Sequence, residues 1–216
     1  EVEQTERHGV YIVGYTDGTF GPSRSMTRAE AAAIFARLLA EKNGDTISTA
    51  ANTKFADIPA HAWYSGYVKY LSNNGITYGK SKTIFAPNDA ITRAEFTTMA
   101  VRFFDVYGDG DAEIMEQFSG FNDVSSGYWA AEYIKYAALH GWINGYGDGS
   151  FHADREINRA EVVTIVNRLL GREADEDYIA DNLRKLNTFP DVTKRHWAYY
   201  AVMEAANAHT AVLGES

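Results

Sequence analysis

The sequence predicts a mainly helical, all-α protein with threefold pseudosymmetry, built from three copies of one helix–loop–helix unit. Three observations carry that expectation. The phrase Met26-Thr27-Arg28-Ala29-Glu30 returns as Ile91-Thr92-Arg93-Ala94-Glu95 and Ile157-Asn158-Arg159-Ala160-Glu161, roughly 66 residues apart. A second phrase, Phe55-Ala56-Asp57 with Trp63, returns as Phe121-Asn122-Asp123 with Trp129 and as Phe189-Pro190-Asp191 with Trp197. Behind each phrase, apolar residues recur three or four apart, as on one face of a helix. A fixed period of this kind marks one structural unit used several times.

The two phrases run out of step. Residues 55–104 and 121–171 read as full repeats, each opening on the second phrase and closing behind the first. Residues 8–42 carry the first phrase alone and residues 189–209 the second alone. They read as the two halves of one repeat split between the termini, within a single domain over 1–216. Each half alone would leave an apolar stripe in water, so the halves are expected to pair, with Val10 near His209.

In each unit the first helix is expected near Trp63, Trp129 or Trp197, with faces Trp63/Tyr67/Tyr70/Leu71, Trp129/Tyr133/Ile134/Ala137/Ala138 and Trp197/Tyr200/Ala201/Val202/Ala205. Gly75 and Gly141 follow as C-terminal stops, where glycine takes a left-handed backbone at little cost. A short segment and a turn come next, with Asp17-Gly18 and Asp148-Gly149 in two copies and Gly79-Lys80-Ser81-Lys82 in the third. The second helix starts behind Thr27, Thr92 or Asn158. Thr27 with Glu30 and Thr92 with Glu95 form capping boxes, and Asn158 with Glu161 is a variant. Ile34/Phe35/Leu38/Leu39, Phe96/Met99/Phe103 and Val162/Ile165/Val166/Leu169 are the apolar stripes of these helices. The first helices are expected to pack together at the centre, with the second helices outside. Glu41–Lys54, Asp105–Gly120 and Arg172–Thr188 read as polar linkers, the last with an extra helix around Tyr178–Leu186.

Composition narrows the function classes. Apolar content of 45% supports a buried core, and a net charge of −9 disfavours a duplex nucleic-acid binder, which needs a basic face. No apolar run approaches a membrane span, so no membrane insertion is expected, and nothing at the N-terminus reads as a signal peptide. Zero cysteines remove disulfides and thiol chemistry. The six histidines lack HExxH spacing, no GxSxG or phosphate loop occurs, and Glu30, Glu95 and Glu161 already serve as caps. The reading is a protein that is not an enzyme and needs no cofactor or metal. Asp105 to Glu116 partly imitates a calcium loop, but Tyr107 stands where an oxygen ligand is expected; a solvated acidic loop is preferred.

The ordered phrases resemble the S-layer homology (SLH) family, whose repeats read Phe-x-Asp-Val, Trp-Ala, a Gly-Tyr-x-Asp-Gly-Thr-Phe-x-Pro loop and Ile-Thr-Arg-Ala-Glu. Phe121-Asn122-Asp123-Val124, Trp129-Ala130, Gly145-Tyr146-Gly147-Asp148-Gly149-Ser150-Phe151 and Ile157-Asn158-Arg159-Ala160-Glu161 match in order, and Gly14-Tyr15-Thr16-Asp17-Gly18-Thr19-Phe20-Gly21-Pro22 matches the loop. The resemblance implies a three-pronged spindle around a central three-helix bundle. It also implies an extracellular anchor at the bacterial cell wall, with parent-protein modules outside this fragment. The partner implied is secondary cell-wall polysaccharide ending in pyruvylated N-acetylmannosamine, held in grooves between repeats. Lys80-Ser81-Lys82, Asn158 and Ala153 depart from the pattern and leave open a structural or protein-interaction module with decayed glycan sites.

Candidate carbohydrate-binding residues follow. Arg28, Arg93 and Arg159 open helices whose free amides and dipole favour an anion, and a guanidinium there grips a carboxylate with two hydrogen bonds; the other reading pairs them with nearby acids. Arg28 or Arg159 is expected to hold the carboxylate, in the copies whose Asp-Gly loop is intact, and Arg93 to sit in the groove with the altered loop. Trp63, Trp129 and Trp197 offer flat faces to a sugar or, alternatively, belong to the core. Asp17 and Asp148 accept sugar hydroxyls or bond their own turns.

Overall fold

The computed structural model describes residues 5–108 and 118–212. The calcium-like segment 105–116 is thus described only up to residue 108, and the rest lies outside the described residues. Seven helices and one pair of short strands are present among the described residues: β1 (Thr5–His8), α1 (Arg28–Asn43), α2 (Ser65–Asn73), α3 (Arg93–Tyr107), α4 (Ala131–Leu139), α5 (Arg159–Leu169), α6 (Glu176–Asn182), α7 (Tyr199–Ala206) and β2 (His209–Val212). The mainly helical expectation holds. The chain separates into two compact units, one from Glu1–Arg24 with Asn158–Ser216 and the other from Ser25–Ile157.

In the Ser25–Ile157 unit, α1 packs on α3, α2 on α1 and α4 on α3. Phe35 of α1 meets Phe96 and Phe103 of α3 at ring-centroid distances of 5.3 and 4.9 Å. Here the expected placement is reversed: the second helices α1 and α3 form the interior, and the first helices α2 and α4 flank them. The reason is the breadth of the buried surface. Besides Ile34, Phe35, Leu38 and Leu39, α1 buries six alanines, whereas α2 buries Ser65, Gly66, Val68 and Leu71. Alanines buried on most of the circumference of α1, all but the stripe of Glu30, Arg37 and Glu41, let neighbours approach from several sides.

The expected faces of the flanking helices hold in part: Leu71, Ile134, Ala137, Ala138, Val202 and Ala205 are buried, but the tryptophans that headed those faces are not. The buried positions are Tyr64, Val68 and Leu71 for α2, Ala130, Ile134, Ala137 and Ala138 for α4, and Ala198, Val202 and Ala205 among those of α7. Trp63, Trp129 and Trp197 each precede the N-cap by one residue and stand 54%, 57% and 65% exposed. The three equivalent residues of the other phrase, all fully buried, close a ring of backbone hydrogen bonds inside this unit: Met26 N–H to Ile157 O (3.0 Å), Ile91 N–H to Met26 O (2.9 Å) and Ile157 N–H to Ile91 O (3.1 Å).

In the other unit, α7 packs on α5, so the helix of the C-terminal half covers an apolar face. The terminal segments pair as β1 with β2, antiparallel, His8 opposite His209, and Tyr11 N–H donates to Ala205 O at 3.3 Å. The two halves of the split repeat therefore meet, two residues from the expected Val10. The segment 172–188 contains α6, capped by Asp175, whose side chain accepts from Tyr178 N–H.

Candidate functional site

All three capping boxes form: Thr27, Thr92 and Asn158 accept from the amides of Glu30, Glu95 and Glu161, whose carboxylates reach back to the cap amides. The next amides are taken as well. Arg28 N–H donates to Asp89 O and Ala29 N–H to Pro87 O; Arg93 and Ala94 donate to Arg155 O and Ala153 O; Arg159 and Ala160 donate to Arg24 O and Pro22 O. The expected free amides at these helix starts are thus occupied by loop carbonyls, and an anion has to be met by side chains.

The three arginines are 4–5% exposed, and the guanidinium of each grips a loop that lies far along the chain from its own helix. Arg28 Nε donates to Phe85 O at 2.7 Å, Arg93 Nε to Phe151 O at 2.8 Å and Arg159 Nε to Phe20 O at 2.8 Å. Each also lies over the ring of that phenylalanine, 4.5–5.0 Å from its centroid. One consequence corrects the sequence reading: the altered loop, Gly79 to Phe85, faces Arg28 rather than Arg93.

That difference opens the Arg28 copy. Tyr146 lies over the Arg93 guanidinium at 5.1 Å, and Tyr15 over Arg159 at 4.7 Å. Lys80 replaces this tyrosine at the equivalent place beside Arg28. A cleft of about 410 Å3 results, within the size range of small-ligand sites. Arg28, Tyr78, Lys80, Glu95, Thr98, Met99, Arg102 and Trp129 are among its lining residues.

The elements place these groups in a simple way. Glu95, Thr98, Met99 and Arg102 fall three or four apart along α3 and so share one face. Packing of α4 on α3 brings Trp129 to the rim. Glu95 does two jobs, since Oε2 accepts from Thr92 N–H at 3.1 Å and Oε1 pairs with Arg28 Nη1 at 3.2 Å. Arg102 lies over Tyr78 at 4.8 Å and Tyr133 at 5.0 Å. Lys80 pairs with Asp89 at 2.8 Å on the open surface, and that hydrogen bond and charge hold the Asp89 carboxyl below the usual range. The Thr98 hydroxyl is buried without a hydrogen-bond partner. Three cations, Arg28, Lys80 and Arg102, thus line the cleft beside the exposed rings of Tyr78 and Trp129, against two carboxylates, Glu95 on Arg28 and Asp89 on Lys80.

Of the sequence candidates, the cleft gathers Arg28 and Trp129. Arg93 belongs to the loop ending at Phe151, and Arg159 to the one ending at Phe20. Trp63 and Trp197 are exposed beside α2 and α7. Asp17 Oδ1 accepts from Thr19 N–H and Oγ1 at 2.9 and 2.6 Å, and Asp148 Oδ1 from Ser150 at 3.0 and 2.6 Å. The hydroxyl bond leads in lowering both pKa values. Lys80, Arg102 and Tyr78 were not anticipated as ligand contacts. Lys80 was visible only as a departure from the repeated loop; Arg102 was signalled by polar residues recurring on an otherwise apolar helix.

The ring of repeated phrases, the loops tied by arginines and the rim tryptophans define a repeat-built helical module. The chain belongs to the S-layer homology domain family: the family model matches residues 1–32, 54–97 and 120–163, more than half of the sequence. Among similar proteins are Cell surface glycoprotein 1 of Acetivibrio thermocellus, 35% identical over 95% of this chain and 9% of its own length, and the Cellulosome-anchoring protein of the same organism, 31% identical over 98% and 45%. Surface-layer 125 kDa protein of Lysinibacillus sphaericus is 32% identical over 74% of this chain and 13% of its own. The chain thus spans less than half the length of each of these relatives. Among the described residues, no helix is long and apolar enough to cross a membrane.

Proposed function

We propose that this chain is a non-catalytic anchor that holds an anionic secondary cell-wall polysaccharide, of the pyruvylated N-acetylmannosamine type, at the bacterial cell surface. The observation that carries the reading is the charge of the cleft: three cations, Arg28, Lys80 and Arg102, meet two carboxylates, Glu95 and Asp89, in a chain of net charge −9. A ketal carboxylate supplies the missing negative charge, and the Trp129 and Tyr78 rings supply apolar faces for a sugar. The S-layer and cellulosome-anchoring relatives support the anchoring role, with further parent-protein modules outside this fragment. In the Arg93 and Arg159 copies the tyrosine over the guanidinium favours a structural role. The three-pronged spindle expected of the family belongs to the same reading and is tested by small-angle scattering.

Arg28 is a poor probe because it also holds Phe85 and Glu95, so the test uses Lys80→Ala and Trp129→Ala. The Lys80 pair is exposed and contributes little to stability. A charge-assisted hydrogen bond is worth about 1.5–3 kcal/mol, so Lys80→Ala is expected to weaken binding to purified cell wall roughly tenfold or more. Removing pyruvate from the wall should abolish the difference between variant and wild type. Unchanged affinity in the folded double variant overturns the assignment.

A further inference from the structure

The closure of the split repeat contains a cluster that glycan binding does not use. His8, the last residue of β1, and His209, the first of β2, face each other in register with ring centroids 5.0 Å apart. Glu204 of α7 reaches between them. Its Oε1 lies 2.7 Å from His8 Nδ1 and its Oε2 3.3 Å from His209 Nε2. The carboxylate is 1% exposed and each imidazole 5%. A buried carboxylate is costly unless fully paired or bound to metal, and here the pairing is incomplete: Glu204 Oε2 and His209 Nε2, although 3.3 Å apart, are buried without forming a hydrogen bond. A void of about 10 Å3 lies against Glu204 and His209, close to the space of one small sphere.

We propose that His8, Glu204 and His209 form a site for a divalent transition-metal cation of the zinc class, which staples the first strand, the last helix and the last strand together. One donor atom from each residue lies within 4.8 Å of the others. Two imidazole nitrogens and a carboxylate oxygen are a zinc donor set that leaves a fourth position for water. Tetrahedral ligands at about 2.0–2.1 Å from zinc stand about 3.3 Å from one another. Glu204 Oε2 and His209 Nε2 already have that separation. His8 Nδ1 lies 2.7 Å from the other carboxylate oxygen, and with the donors spread over up to 4.8 Å the imidazoles have to close in by about an ångström or more for one ion to reach all three. On the far side of the His8 ring, Nε2 faces Glu6 Oε2 at 3.8 Å. On binding, the cation would take the place of the proton between His8 Nδ1 and Glu204, and the Glu6 carboxylate would favour the remaining ring proton on Nε2. Because the ligands come from both ends of the chain, metal binding and closure of this unit are coupled.

The test uses the untagged full chain after chelation, titrated with Zn2+ by calorimetry and with Co2+ by visible absorption. The expected result is one equivalent bound, intense tetrahedral Co2+ bands, and a Tm raised by several degrees at about a hundredfold excess of Zn2+ over Kd. His209→Asn and Glu204→Gln should each weaken Zn2+ binding at least tenfold, while His61→Asn, at an exposed position, should not. Absence of binding by the wild type, or binding equal in wild type and both variants, overturns the proposal. Should the variants fail to fold, the wild-type Co2+ spectrum decides: weak octahedral bands or none sink it.

Discussion

At each of the three loops an aspartate carboxylate holds two consecutive backbone amides. Asp57 accepts from Phe85 and Ala86, Asp123 from Phe151 and His152, and Asp191 from Phe20 and Gly21. This is the physical content of the Phe-x-Asp phrase. Its phenylalanine packs so close to the loop that a Cβ at Gly14 or Gly145 would come within 2.5 Å of the Phe189 or Phe121 ring. Burial is the largest single influence on Asp123 and raises its pKa, but the amides of Phe151 and His152 together outweigh it and leave the carboxyl below its ordinary value; Asp191 behaves alike with Phe20 and Gly21. A carboxyl with a depressed folded pKa adds stability that is present above about pH 4, the unfolded value, and is lost as pH falls through the folded one. Asp123→Ala is therefore expected to cost about 1–2 kcal/mol at neutral pH, the lower part of the charge-assisted range because the side chain is 31% exposed. Its unfolding midpoint should also vary less between pH 4 and pH 2 than the wild type's, which denaturant melts at both pH values check. The second amide of each pair belongs to a residue at positive φ: Gly21 at 68°, Ala86 at 58° and His152 at 54°. Relief of left-handed strain exceeds the added freedom of the unfolded chain, so Ala86→Gly should stabilise by about 0.5–1 kcal/mol, seen as a higher Tm.

Among the helices, the capping boxes were legible because every part of them is local: a side chain, its own amide and an amide three residues on. Thr92→Ala removes the hydroxyl that Glu95 N–H uses at 3.2 Å. It should cost about 1 kcal/mol, measured by chemical denaturation, while Thr92→Ser should keep most of the stability. The helix faces were less legible. The tryptophans, as the largest apolar side chains, were read into the stripes of the flanking helices, yet the buried residue is in each case the one that follows: Tyr64, Ala130 and Ala198. Periodicity locates a stripe only when large residues mark the buried side. Where an interior is built by close approach of alanines, as on α1, size points the wrong way.

For the molecule as a chain, the split repeat makes the fold of one unit depend on both termini. Tyr11 donates to Asn167 Oδ1 at 2.6 Å, Asn167 Nδ2 donates to Ala201 O at 2.9 Å, and Arg172 donates to Gly9 O at 3.1 Å. Deleting residues after Thr188 removes α7 and β2 from this network. That truncation is expected to abolish amide protection around Tyr11 in hydrogen exchange; retained protection there would show that the N-terminal half folds without its complement. Pairing of the halves was readable in advance because two complementary fragments of one motif stood at opposite ends. The short strands were not, since Thr5–His8 and His209–Val212 lie outside the repeated phrases.

The sequence by itself determined the helical class, the threefold repetition, the caps and the family, because each is written in local patterns that recur at a fixed spacing. Only the tertiary structure decided which helices lie inside, which loop each arginine holds, and that the copy departing most from the motif is the one with the open cationic cleft. Those are properties of residues far apart in the chain. Arg28 and Phe85 have no local signal that joins them, and the effect of Lys80 depends on the guanidinium that a tyrosine would otherwise have covered.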